Sequence, residues 1–378
     1  MAEKRNIFED VAADGPQANI PKTSLIDGDK NRSRRRIRIW LHVLLALVAV
    51  MIVVGGLTRL TDSGLSITEW KPVTGAVPPL SEAAWNEAFT KYQQTPEFNL
   101  QNSAMTVAEF KSIYWWEWAH RQLGRVIGLV WAVGFLWFLA RRQIPTGWTG
   151  RLVLIGALGG LQGAIGWWMV SSGLTGRMVD VASYRLAIHL GLAFIIMGLI
   201  VWYSMLLKRG DGDLMQARRN REGGLARLAT WLGLAAFLQI LLGALVAGID
   251  AGRGYIDWPW MNGEFLPSES FDYSPLWTNF FENPALVQFD HRMLGYLVFL
   301  LAGFAWWQSR KSPLRATKQA FDMVMAAVFL QAVLGIATVL YAAQVHIAIT
   351  HQIGAIVVIT LILRTRFAAM YPAQQSLR

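Results

Sequence analysis

Five stretches of this chain run without a charged residue for long enough to cross a lipid bilayer, and they fix the solvent in which it folds. Ile39–Thr58, Leu152–Gly176, Leu186–Leu207 and Leu228–Ile249 each span 20 to 25 residues, and Met323–Leu363 runs unbroken for 41. A hydrocarbon core of ~30 Å takes about 20 helical residues. The first four stretches are therefore single spans, and the last is two spans hinged near Ala342-Ala343-Gln344. Val126–Ala140 and Met293–Ser309 are shorter, but reach full length if their helices begin at His120-Arg121 and His291-Arg292. The total is eight spans. Lipid offers no partner to a free backbone N–H or C=O, so apolar runs of this length must be helical, and the fold class is an all-α polytopic membrane protein. Composition agrees, with 54% hydrophobic and only 16% charged residues, where a soluble chain carries about a quarter charged.

Positive charge sets the topology. With both ends cytoplasmic, the tail 1–38 holds nine Lys/Arg, the loop 141–151 three, 208–227 six, 310–318 four, and Arg364 with the C-terminal tail three, which is 25 of 35 on one side. This bias is the positive-inside pattern, and it predicts a multi-pass membrane protein with both termini cytoplasmic. It also accounts for the net charge of +10: basicity here reports topology and contact with lipid, and nothing supports nucleic-acid binding. Residues 1–38 are polar and basic, which predicts a disordered tail, and no apolar core of a cleavable signal precedes residue 39. Cysteine is absent, so disulfides, thiolate metal sites and a cysteine nucleophile are excluded.

The chain repeats itself. Glu117-Trp118-Ala119-His120-Arg121 and its echo Gln288-Phe289-Asp290-His291-Arg292 lie 171 residues apart and each leads into a span. Asp62 to Trp70 and Asp250 to Trp258 have equal spacing, with Gly64 matching Gly252 and Glu69 matching Asp257. Leu161-Gln162-x-x-x-Gly166 in span three recurs as Leu330-Gln331-x-x-x-Gly335 in span seven. The expected architecture is thus two pseudo-symmetric four-helix bundles: 39–207, with an outer segment 60–117, and 228–364. They are joined by the linker 208–227 and followed by a tail 365–378.

Ionisable residues inside a membrane are costly and mark function by default. Of six histidines, His120, His189, His291 and His351 fall at the outer ends of the even-numbered spans. A lone membrane histidine is usually a hydrogen-bonded packing residue. Four recurring in both halves of a duplicated bundle instead suit axial ligation of haem iron, one His from each of two helices facing across a bundle core. Arg121 and Arg292 are then candidates to meet haem propionates. His42 has no counterpart and reads as packing; His346 lacks a counterpart too, so His351 is preferred as ligand. The halves differ three residues before the first histidine, with Glu117 in one and Gln288 in the other. A carboxylate can take protons or stabilise a cation whereas an amide cannot titrate. One half is therefore equipped for reaction and the other for holding a cofactor. A dihaem b-type electron-transfer cytochrome remains open at this point. A haem carrier also remains, disfavoured by the lack of proline within the spans.

The set Gly55-Gly56-Leu57-Thr58-Arg59-Leu60-Thr61-Asp62-Ser63-Gly64-Leu65-Ser66, Glu69-Trp70-Lys71-Pro72, Glu117-x-x-His120-Arg121-x-x-Gly124-Arg125, Tyr184-Arg185-Leu186-x-x-His189-Leu190 and His351-Gln352 resembles haem A synthase. The likeness runs from span one to span eight and is to the cysteine-free, long-loop form shared by proteobacteria and mitochondria, which implies a multi-pass protein of the bacterial inner membrane. The resemblance implies oxidation of the C8 methyl of haem O to a formyl group, giving haem A for cytochrome c oxidase. It implies a haem b on His291 and His351, the substrate haem O on His120 and His189, and Glu117 as the key carboxylate. It further implies an electron acceptor and haem O synthase (protohaem farnesyltransferase) as partners, and leaves homo-oligomerisation open.

Overall fold

The computed structural model describes residues 25–176 and 179–373, with side chains from Asn31 onward. It is 76% helical. In chain order the helices are α1 (Leu25–Leu60), α2 (Glu82–Tyr92), α3 (Pro96–Leu100), α4 (Val107–Ala140), α5 (Thr149–Val170), α6 (Ser183–Lys208), α7 (Asp211–Arg219), α8 (Gly223–Gly248), α9 (Asn279–Glu282), α10 (Pro284–Ser309), α11 (Arg315–Leu340) and α12 (Val345–Met370). Eight of them, α1, α4, α5, α6, α8, α10, α11 and α12, are long and apolar enough to cross a membrane. The hinge expected at 342–344 is present: Ala342 and Ala343 both take positive φ, 50° and 52°, between α11 and α12. Left-handed alanine is uncommon, and here it reverses the chain within a few residues.

Three boundaries differ from the sequence reading, each for a local reason. The tail expected to be disordered is helical from Leu25, continuous with span one, while residues 1–24 lie outside the described residues. Arg34 ties this extension down, donating to the Arg209 carbonyl at 2.7 Å and pairing with Asp211 of α7 at 3.2 Å. Span two does not begin at His120 but at Val107, where Thr106 and Glu109 form a reciprocal capping box. A 34-residue helix is about 50 Å long, so its first turns stand clear of the apolar zone. There they pack Phe110 against Trp85, Phe89, Tyr92 and Phe98. The charges of those turns hid the helix start. Span six likewise begins at Pro284, capped by the Asn283 side chain, rather than at His291.

Contacts among the membrane helices close two rings of four. α1 packs on α4 and α6, and α5 on α4 and α6; α8 packs on α10 and α12, and α11 on α10 and α12. α6 is the most enclosed span and touches α8 and α12 of the second ring as well. Its buried Ala193, Phe194, Met197 and Ile200 join Leu41, Leu44, Leu152, Leu232, Val298 and Ile362 in one continuous core. Tryptophans key the first ring together. Trp40 lies against Gly134 and donates to the Val130 carbonyl at 3.0 Å, and Trp131 lies against Gly156 and donates to that of Leu152 at 3.0 Å. Side chains larger than glycine at 134 or 156 would collide with the indoles.

Candidate functional site

Each of the four span-end histidines rests on a glycine of the preceding membrane helix. A Cβ added at Gly55 of α1 would meet His120 Cε1 of α4 at 3.0 Å; at Gly166 of α5, His189 of α6 at 2.8 Å; at Gly243 of α8, His291 of α10 at 3.0 Å; at Gly335 of α11, His351 of α12 at 3.1 Å. Real Cβ atoms seldom come so close, so glycine is required for the rings to lie where they do.

Three of the rings are also held by glutamine one turn before that glycine. Gln162, Gln239 and Gln331 place Nε2 at 3.2, 3.1 and 3.2 Å from the Nδ1 of His189, His291 and His351. The same nitrogens donate to the histidine carbonyls at 2.9, 2.8 and 2.8 Å. Gln239 Nε2 is almost as near to the second ring nitrogen of His291, 3.3 Å, as to the first. In the ring plane such a position would press on Cε1–H, so the amide lies over the ring face. It fixes the plane of the imidazole rather than its tautomer.

His291 and His351 face one another with ring centroids 6.5 Å apart and planes at 80°. Two imidazoles bound on opposite sides of one metal ion, with bonds of about 2 Å, stand about 6 Å apart by centroid. The pair therefore fits an iron between them, and bis-histidine ligation of haem iron is the chemistry such a donor set serves. His120 and His189 occupy the matching positions of the first ring. His42 is exposed and hydrogen-bonds to α6, its Nε2 2.6 Å from Ser204 Oγ. His346 is exposed.

Above the histidines, an arginine one residue on clasps a loop in each half. Arg292 donates to the carbonyls of Asp257 and Trp260 at 3.0 and 2.9 Å and to that of Tyr255 at 2.9 Å, and it reaches Gln288 Oε1 at 3.1 Å. Arg121 does the same with the carbonyls of Glu69 and Ile67, at 3.0 and 2.8 Å, and pairs with Glu117 at 2.6 Å. Glu117 is 3% exposed, and its other oxygen accepts from Ser66 Oγ at 2.7 Å and Ile67 N–H at 2.8 Å. Its carboxylate is thus fully hydrogen-bonded, as a buried charge must be. Over this clasp Trp70 stacks on Trp167, 6.0 Å between centroids and 12° between planes.

Several residues at this end escaped sequence reasoning. Leu238-Gln239-x-x-x-Gly243 is a third copy of the motif noted in spans three and seven, and it was legible from spacing alone. Arg59, its side chain 9% exposed, pairs with Asp62 at 2.7 Å, Asp250 at 2.9 Å and Asp180 at 3.6 Å, joining the ends of α1 and α8. Asp62 and Asp250, matched earlier by spacing, both take left-handed φ near 50° where their helices stop. Glu97, 2% exposed on α3, has an oxygen without a partner. Burial, then the neighbouring Asp180, pushes its carboxyl up to about 8.

The family of cytochrome oxidase assembly proteins termed COX15-CtaA matches residues 38–363. Among similar proteins, one called heme A synthase from Dinoroseobacter shibae is 61% identical over 380 residues, covering all of this chain and 99% of that protein. Another of that name from Ruegeria pomeroyi is 60% identical over the full length of both, and one from Paracoccus denitrificans is 56% identical over 99% of this chain and 98% of its own. With the match extending from the first span to the last and well beyond the histidine motifs, the chain belongs to the haem A synthase family.

Proposed function

We propose that this chain is a membrane oxidoreductase that converts the C8 methyl of haem O to a formyl group, yielding haem A for cytochrome c oxidase. The observation that carries the reading is the recurrence of a histidine seated on a glycine in all four helix pairs, in a chain about 60% identical to proteins named heme A synthase.

In this reading α1, α4, α5 and α6 bind the substrate haem through His120 and His189, and α8, α10, α11 and α12 hold a haem b through His291 and His351. The assignment rests on the carboxylate: Glu117 lies one helical turn before His120, whereas the corresponding Gln288 carries no charge. A haem b, when bound, supplies a one-electron relay between substrate and an external acceptor. Glu117, steadied by Arg121, Ser66 and Ile67, offers a fixed negative charge to a cation developing on the methyl carbon and a base for the protons released. Arg121 and Arg292 hold the loops 67–69 and 255–260 at the histidine-bearing end of each ring, where they would close over a bound haem. The protein sits in the inner membrane with both termini cytoplasmic, the side on which 25 of the 35 Lys/Arg lie. There it meets a lipid-soluble substrate delivered by haem O synthase.

The reading is tested by expressing the chain in cells that make haem O but lack haem A, then separating extracted haems by chromatography. Haem A appearing with this chain and not with its Glu117→Ala variant supports it. Haem O alone in both overturns it.

A further inference from the structure

The device that holds three of the histidines is missing from the fourth. In α5, α8 and α11 the sequence is Leu-Gln-x-x-x-Gly; in α1 it is Val50-Met51-Ile52-Val53-Val54-Gly55. The glycine is kept and the glutamine is replaced by methionine. Three-dimensional position confirms the correspondence independently of spacing. A Cβ on Gly295, four residues after His291, would touch Gln239 Nε2 at 3.3 Å; a Cβ on Gly124, four residues after His120, would touch Met51 Cε at 3.5 Å. Met51 therefore stands where the amide stands elsewhere.

The substitution changes what the histidine feels. The glutamine amide donates to the histidine carbonyl and covers the ring face; a thioether has no donor and is only a weak acceptor, on a side chain with three rotatable bonds. Partners that orient a metal-bound histidine are worth 10–100-fold in affinity or activity. His291 and His351 both have one, as ligands of a permanently held group should. In the other ring His189 has one and His120, among the described residues, has none, and His120 is the histidine beside Glu117.

We propose that Met51 makes His120 the weaker axial ligand of the first ring, the last to bind when substrate haem is taken up and the first to yield when product haem is released, while His189, held by Gln162, is the firmer ligand and lets go second. The proposal rests on the reading that α1, α4, α5 and α6 receive the substrate haem, and it adds which ligand yields. Turnover requires a haem that leaves; a site with two fixed histidines would retain its product.

The test is the rate at which purified protein, loaded with haem O, hands haem to excess apomyoglobin, followed by absorbance with the identity of transferred haem checked by chromatography. Met51→Gln is expected to slow the transfer of haem O or haem A by about 10–100-fold without altering haem B retention. Met51→Leu, apolar but equally without a donor, should release at the wild-type rate. Gln239→Met should loosen haem B selectively, and Gln162→Met should speed release of haem O; these two keep the proposal testable if Met51→Gln does not fold. An unchanged haem O release rate in folded Met51→Gln overturns the proposal. Failure of the underlying reading looks different: His120→Ala would then deplete haem B rather than haem O.

Discussion

Replacing Glu117 by glutamine separates its charge from its role as a loop clasp, because the second half of the molecule already contains the amide version. There Gln288 Oε1 accepts from Arg292 at 3.1 Å while its Nε2 donates to the Tyr255 carbonyl at 3.2 Å. In Glu117→Gln the new Oε1 can keep Arg121, but the new N–H₂ faces Ser66 Oγ and Ile67 N–H, now 2.7 and 2.8 Å from Oε2. The Ser66 hydroxyl can turn to accept; the Ile67 N–H cannot. One orphaned buried donor costs about 1–3 kcal/mol, and weakening charged hydrogen bonds from Arg121 to neutral ones costs about 1 kcal/mol more. A loss of about 2–4 kcal/mol lowers the melting temperature of a chain this large by about 3–5 °C and leaves it folded. Loss of an acid–base group, by contrast, costs about 10²–10⁴ in rate. The expected result is a melting curve shifted by a few degrees, haem B content unchanged, and haem A formation reduced at least a hundredfold. Haem A formation within a few-fold of wild type, in a variant that melts as expected, would refute the chemical role and leave Glu117 as a clasp alone.

Other perturbations probe the scaffold. Gly335→Val drives a branched side chain into His351, whose Cε1 would lie 3.1 Å from the first added carbon; haem B content should fall with haem O binding retained, as read by pigment extraction. Arg59→Leu leaves Asp62, Asp180 and Asp250 facing one another without their shared cation; because these carboxylates are 33–48% exposed, solvent screens much of the loss, and the cost is about 1 kcal/mol, visible as a slightly lowered melting temperature. Glu97 titrates near 8 when folded and near 4.5 when not. Between those values the folded chain holds a proton that the unfolded chain has lost, so stability falls as pH rises through the window. Glu97→Gln should remove that component, and melting curves between pH 5 and 8 for wild type and variant should converge at the acid end.

Much of the fold was written in the charge-free runs, which need nothing but length to become membrane helices. The Ala342–Gln344 hinge was legible because 41 apolar residues cannot be one span. Helix starts were not, since Val107–Arg121 mixes Glu109, Lys111 and Glu117 into a helix that leaves the apolar zone, and only the Thr106–Glu109 capping box marks where it begins. At the site, the four histidines and the Glu117/Gln288 contrast could be read from repetition alone. Their supports were less visible: a glycine under a ring looks like any small residue of a membrane helix, and Gln239 sits in a run of leucines. Arg59 was hidden for another reason, because its partners Asp180 and Asp250 lie 121 and 191 residues away in sequence. Arg121 and Arg292, the candidates for propionates, also have loop carbonyls as partners, a second role that depends on loop shape and leaves no trace in spacing.

The account stands or falls on what the protein carries. Pigment extracted from the detergent-purified chain and separated by chromatography should contain a single haem B per chain together with haem O, haem A or a hydroxylated intermediate. His291→Ala should remove the first and His120→Ala the second. Two haem B per chain and no other pigment would contradict the account and mark an electron-transfer cytochrome instead; a protein without haem would contradict the four-histidine site itself.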